Sequence, residues 1–231
     1  MATITRPNEI LCEFLRTRVT DPRGRFSADS DSFTATAGQT VFTLTPTTAA
    51  NMVWAITGVT LNSAALSKWA DYTIDLNGKK ITLLTATSLS DAVVVNYLVG
   101  PSGSNWIYPD RPISSMGKEN FPRISVMQVN AVGARNGAFD SSVTDTVHFQ
   151  IDVWTKKGYG NTISSVFYEE QNLADYLAYK VKLAFIDHEG DLYPKLYDYE
   201  QLSFRQIDFD DGFQLFRHTQ ELLLAGVNVG Q

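Results

Sequence analysis

Residues 146–154 read Thr146-Val147-His148-Phe149-Gln150-Ile151-Asp152-Val153-Trp154. Apolar and polar side chains alternate through the whole stretch. Neighbouring side chains of a strand point to opposite faces, so Val147, Phe149, Ile151 and Val153 share one face. That is the pattern of a strand with one face on a core, and it sets the rest of the reading. Upstream, Arg123-Ile124-Ser125-Val126-Met127-Gln128-Val129 alternates in the same way, and Gly133 to Asp145 is expected to form the hairpin loop between the two. Before it, Trp106 to Pro122 is irregular, with prolines at 109, 112 and 122.

Downstream the period changes. Residues 163–186 read as one amphipathic helix with Val166, Leu173, Tyr176, Leu177, Val181, Ala184 and Phe185 as its apolar stripe. Glu169 and Glu170 lie early and Lys180 and Lys182 late, as the helix dipole favours. Two more strands follow, roughly 197–209 and 214–225, joined by Asp210-Asp211-Gly212. At the other end, Ile10, Leu11, Phe14, Leu15 and Val19 recur at helical spacing, and Pro22 with Gly24 ends the pattern. The expected fold class is α+β: an antiparallel sheet with helices on one face.

Between first helix and first strand the chain changes character. From Phe26 to Asp110 there is no Arg and no Glu; the charges are Lys68, Lys79, Lys80 and six Asp. Thr and Val favour strands, and the segment alternates in short runs. Thr40-Val41-Phe42-Thr43-Leu44 follows a Gly38-Gln39 turn, and Tyr72-Thr73-Ile74-Asp75-Leu76 stops at Asn77-Gly78, a strong hairpin signal. Val93 to Val99 closes the segment before a linker-like Gly100-Pro101-Ser102-Gly103. The expected organisation is one α+β domain of residues 1–25 and 104–231, interrupted by an inserted β-sandwich at 26–103. Insertion at an exposed loop costs little.

Composition excludes several classes. A net charge of −6 and pI near 5.0 do not suit a dedicated nucleic-acid binder. One cysteine, Cys12, allows no internal disulfide and no multi-cysteine metal site. No apolar run reaches the roughly 20 residues of a membrane span. The N-terminus MATITRPNEI has no apolar core of a secretory signal, so none is expected.

Catalytic chemistry finds little footing. His148, His188 and His218 lie far apart in sequence, without metal-ligand spacing. Cys12 falls on the polar or boundary side of the first helix, and a buried, unreactive thiol is the better reading. No nucleophile elbow, P-loop or dinucleotide motif occurs. Asp208, Asp210 and Asp211 lack the loop of an EF-hand and read as an acidic turn. No catalytic residue, metal or cofactor is assigned.

Two features point to surfaces. Asp187 to Asp211 holds eight acidic residues against Lys195 and Arg205, a local −6, while Arg16, Arg18, Arg23 and Arg25 cluster around the exit of the first helix. Complementary patches on one chain permit head-to-tail contacts that close into rings. Asp208, Asp210, Asp211 and the four arginines are therefore the channel or subunit-interface candidates. An acidic wall also repels phosphates, so that DNA passes without sticking. The second feature is aromatic: Trp54, Trp69 and Trp106 read as core, with an exposed sugar-binding face as the alternative.

The order of elements resembles the tail-terminator (tail-completion) proteins of long-tailed bacteriophages. The resemblance lies in the short first helix, Tyr108-Pro109, the Phe121 to Val126 strand start and the Phe149 to Trp154 strand. It continues through the Leu173 to Phe185 helix and the closing strands from Phe204 to Leu224. The middle segment is similar to small β-domains of phage fibre and tail proteins, through Gly38 to Leu44, Val59 to Asn62 and Asp71 to Ile74. Ordinary terminators lack such an insertion.

The resemblance implies a non-enzymatic virion protein with no cofactor. It would form a homo-hexameric ring at the head-tail junction, cap the tail tube, and meet a head-completion or neck protein. DNA would pass through the channel as cargo, and no membrane would be involved. The implied location is the virion tail or neck, and the host cytoplasm during assembly. The competing expectations are a head-side neck connector and a carbohydrate-binding module of a receptor-binding protein.

Overall fold

Helix α1, Pro7–Arg18, buries the consecutive residues Ile10 to Leu15, Glu13 included. Amphipathic spacing predicts a stripe, but this helix is covered on more than one side. The computed structural model describes residues 7–48, 51–109, 121–135, 143–192, 198–210 and 214–227. The chain divides into two compact units, Met1–Pro22 with Trp106–Gln231, and Arg23–Asn105. Strands dominate both.

Among its described residues the Arg23–Asn105 unit has strands and no helix. They are β1 (Ser27–Thr34), β2 (Val41–Thr43), β3 (Asn51–Leu61), β4 (Ala64–Leu66), β5 (Tyr72–Asp75), β6 (Lys80–Leu83) and β7 (Ala92–Pro101). One antiparallel sheet runs β1-β7-β3-β4 and a second runs β2-β6-β5. Side chains of both sheets meet in one core, among them Phe42, Ile81 and Tyr72 from one and Val53, Val95 and Tyr97 from the other. In β7, Val93, Val95, Tyr97 and Val99 are buried in turn, although the run is almost wholly apolar in sequence.

Two details of this unit differ from the sequence reading. Asn77-Gly78 does not form the two-residue turn that such a pair favours. Residues 76–79 make a longer loop in which Asp75 Oδ1 accepts from the Gly78 N–H at 2.8 Å, and the left-handed residue is Lys79, at φ 52°. The carboxylate one residue before the loop supplies an acceptor that a tighter turn would leave unused. Gly100-Pro101, expected as a linker, instead completes β7 and pairs with Met52 and Asn51.

In the other unit α1 is followed by β8 (Ile107–Tyr108), β9 (Arg123–Arg135), β10 (Val143–Lys156), β11 (Gly160–Ile163), β12 (Val166–Glu169), helix α2 (Glu170–His188), β13 (Asp198–Asp210) and β14 (Leu215–Val227). Five of these strands form one sheet in the order β13-β14-β10-β9-β8, antiparallel except for the β8–β9 pair. The expected antiparallel sheet and the two closing strands are present. The β9–β10 hairpin is longer than the side-chain alternation indicates, because pairing continues to Arg135↔Val143. Backbone hydrogen bonds extend a ladder without needing apolar side chains. Clean alternation also fails at Val129: the register slips between His148 and Phe149, so Val129 is the extra residue of a bulge and is exposed.

The helices lie together on one face of this sheet. Phe14 of α1 and Phe185 of α2 have ring centroids 5.1 Å apart. Thr155 of β10 donates to the Glu170 carbonyl at 2.8 Å, and Gln220 of β14 donates to the Ala178 carbonyl. These bonds place Val147, Phe149, Ile151 and Val153 on the helix side, where all four are buried.

The helix itself starts later than the sequence suggests. Residues 163–169 belong to the β11–β12 hairpin, turning at Ser164-Ser165 with φ of 50° and 68°. Val166, assigned above to the apolar stripe, is 51% exposed. Its neighbours Phe167 and Tyr168 are aromatic and fit the pleated surface of a strand better than a helical first turn. Leu173, Leu177, Val181, Ala184 and Phe185 do form the buried stripe.

Candidate functional site

The four arginines are not equivalent. Arg16 is half-buried, donates from Nη2 to the Ile107 carbonyl at 3.0 Å, and lies 3.7 Å from the buried Glu13 carboxylate. It ties α1 to β8, which corrects its reading as a surface charge. Arg18 is exposed in the last turn of α1. Arg23 is exposed and Arg25 half-buried with its guanidinium 5.9 Å from the Phe26 ring, both in the Arg23–Asn105 unit.

Of the acidic candidates, Asp208 and Asp210 lie on β13, which forms an edge of the five-stranded sheet. They stand in register with Arg217 and Leu215 of β14. Asp211 lies outside the described residues. The acidic turn of the sequence reading therefore begins as strand.

The tryptophans divide in the same way. Trp54 is 2% exposed and stacks on Phe26 at 4.4 Å with an angle of 13°. Trp106 is fully buried, its carbonyl accepts from the Ile124 N–H at 2.8 Å, and it belongs to the other unit. Neither offers an exposed platform. Trp69 is half-exposed, in a tight turn with φ 67° whose N–H donates to the Tyr72 carbonyl at 2.9 Å. The sugar-binding alternative thus loses two of its three aromatics.

The sheet face away from the helices carries a buried polar row that alternation does not announce. Ser125, Asp152 and Thr219 stand side by side on β9, β10 and β14. Asp152 has no exposed surface and accepts from Thr219 Oγ1 at 2.7 Å and from Gln150 Nε2 at 2.9 and 3.0 Å. Beside it, the Arg123 guanidinium sits 3.7 Å over the Tyr108 ring. The alternation marks these positions as polar but carries no signal of their burial.

Among the described residues, one cleft lies where the chain was read as helix. An open cleft of about 500 Å3 between β12 and α2 is lined by Val166, Phe167, Tyr168, Asn172, Asp175 and Tyr176. Tyr168 and Tyr176 have ring centroids 4.6 Å apart, and the Lys180 ammonium is 5.5 Å from the Tyr176 ring. Phe167 is 60% exposed yet positioned: a Cβ on Gly160 would meet its ring at 2.5 Å, so the ring covers the cross-strand glycine. Asp175 is half-exposed, with Oδ1 at 2.9 Å from Nδ1 of the buried His218. The signal for this hairpin was Thr162-Ile163, then Ser164-Ser165, then Val166-Phe167-Tyr168: two β-prone runs around a turn pair.

His148 is half-buried on β10 and His188 is exposed at the end of α2. Cys12 is 1% exposed, inside rather than on the boundary of α1. Among the described residues no three metal-binding side chains gather, and no helix is long and apolar enough to cross a membrane. No family model, curated protein or solved structure matches the chain.

Proposed function

We propose that this chain is a phage tail-terminator protein. In this reading it forms a homo-hexameric ring at the head-tail junction that caps the tail tube, meets a head-completion or neck protein, and lets DNA pass through the channel. One observation carries the reading: a five-stranded, mostly antiparallel sheet with α1 and α2 packed together on one face, in the element order of the resemblance. The separated charge supports it, with basic residues around the end of α1 and the acidic tract running into edge strand β13. The Arg23–Asn105 unit is then an inserted β-sandwich, added to the ring-forming domain for a contact that ordinary terminators do not make.

The test is positional and phenotypic. Virions that assemble without the chain are expected to carry overlong tails, and a labelled chain is expected at the neck. Full heads with no tails would assign it to the head side of the joint, as a neck connector. Normal, correctly joined tails in its absence would overturn both assignments.

A further inference from the structure

We propose that the cleft between β12 and α2 receives a cationic side chain, and that the donor is the basic Arg18–Arg23 segment of a second copy of this chain. The lining has the two elements that bind a guanidinium: aromatic faces and a carboxylate. Tyr168 and Tyr176 supply π faces, and Asp175, half-exposed, supplies the charge. Tyr176 already has one ammonium near it, that of Lys180, so the ring environment accepts a cation within the chain itself. The parts are held in advance. Phe167 rests on Gly160, Tyr168 packs against Tyr176, and the Asp175 carboxylate is anchored by the buried His218. A positioned receptor loses less entropy on binding than a mobile one.

Charge complementarity selects the occupant. Arg18 and Arg23 are exposed and lie five residues apart in the sequence. A receptor and a matching donor on one chain give a contact that a second copy satisfies. The inference rests on the ring reading only for the presence of that second copy.

A charge swap tests it. Asp175→Arg is made in one chain and Arg18→Asp with Arg23→Asp in another, and association is followed by sedimentation velocity at matched concentrations. Each variant alone is expected to associate at least about tenfold more weakly than wild type, because like charges then meet. The equimolar mixture is expected to recover, because an Arg-bearing cleft meets an Asp-bearing segment and the reverse pair is native. Should Asp175→Arg lose its far-UV circular dichroism, Asp175→Asn takes its place, with the same loss of association expected. Wild-type association by both variants overturns the contact, leaves the ring reading standing, and hands the cleft to another occupant. A wild-type chain that stays monomeric at high concentration overturns the contact and the ring together.

Discussion

The phenol of Tyr97 on β7 donates to Asp31 Oδ2 on β1 at 3.0 Å, from a side chain that is 1% exposed. Tyr97 stands opposite Asp29 in the register, so the bond reaches diagonally to the next residue on that face. Burial, then the hydrogen bond to Asp31, then the charges of Asp31 and Asp29, push the phenol well above its ordinary range. The neighbouring Asp29 carboxyl is held below its usual range, chiefly by the Thr47 N–H. A group whose folded pKa is raised contributes stability below its unfolded value, and loses it as pH climbs through the interval above that value. For a tyrosine the loss starts near pH 10. The urea midpoint of wild type should therefore fall more steeply than that of Tyr97→Phe between about pH 9 and 11. Parallel curves would show that this phenol does not couple to folding.

Gly100 is where β7 passes beneath an aromatic ring. A Cβ there would lie 2.5 Å from Phe26 Cδ1 and 2.9 Å from the Arg25 carbonyl, while Phe26 stacks on Trp54. Gly100→Ala should cost about 1–3 kcal/mol, as overpacking does. Since the two sites touch, Phe26→Ala should cost less in that background than alone, by about 0.5 kcal/mol or more. A double-mutant cycle in denaturant measures both, and strict additivity would contradict the proposed clash.

Asp152 holds the sheet's second face together by accepting from Thr219 and Gln150 while fully buried. Asp152→Ala removes the acceptor and leaves the buried Thr219 hydroxyl without it, and should cost about 2–3 kcal/mol. Thr219→Val removes one donor of the same group and should cost about 1 kcal/mol. Chemical denaturation of the two variants would show the ordering, and a smaller loss for Asp152→Ala would refute it.

Ser164 and Ser165 both occupy the left-handed region, at φ 50° and 68°, in a two-residue hairpin turn. That turn type favours Asn-Gly. Ser164→Asn with Ser165→Gly should stabilise the β11–β12 hairpin by about 0.5–1 kcal/mol. Amide exchange at Asn161 and Tyr168, a hydrogen-bonded pair of the hairpin, should slow accordingly. Unchanged exchange at those sites would mean that the turn does not limit hairpin opening.

The α+β class, the central strand of the sheet and the two closing strands were legible in local sequence. One face of β10 meets the helices and therefore selects Val147, Phe149, Ile151 and Val153, leaving a period of two in the chain. The helical period misplaced the start of α2, because Val166 stands seven residues before Leu173, a spacing compatible with a helix. The left-handed backbone at Ser164-Ser165 settles it as a hairpin.

What the sequence by itself determined is this: which segments alternate, where the charged residues thin out, and which sign of charge each segment carries. Those are properties of a residue and its near neighbours. Tertiary structure alone decided that Arg16 turns inward to Ile107, that Trp69 is left half-exposed while Trp54 and Trp106 are buried, and that Asp152 lies beside Thr219. It also decided that Phe167, Tyr168, Asp175 and Tyr176 line one cleft. Burial and pairing depend on which distant segment covers a side chain. Arg16 and Ile107 are separated by 91 residues and Asp152 and Thr219 by 67, a range over which a local pattern holds no information.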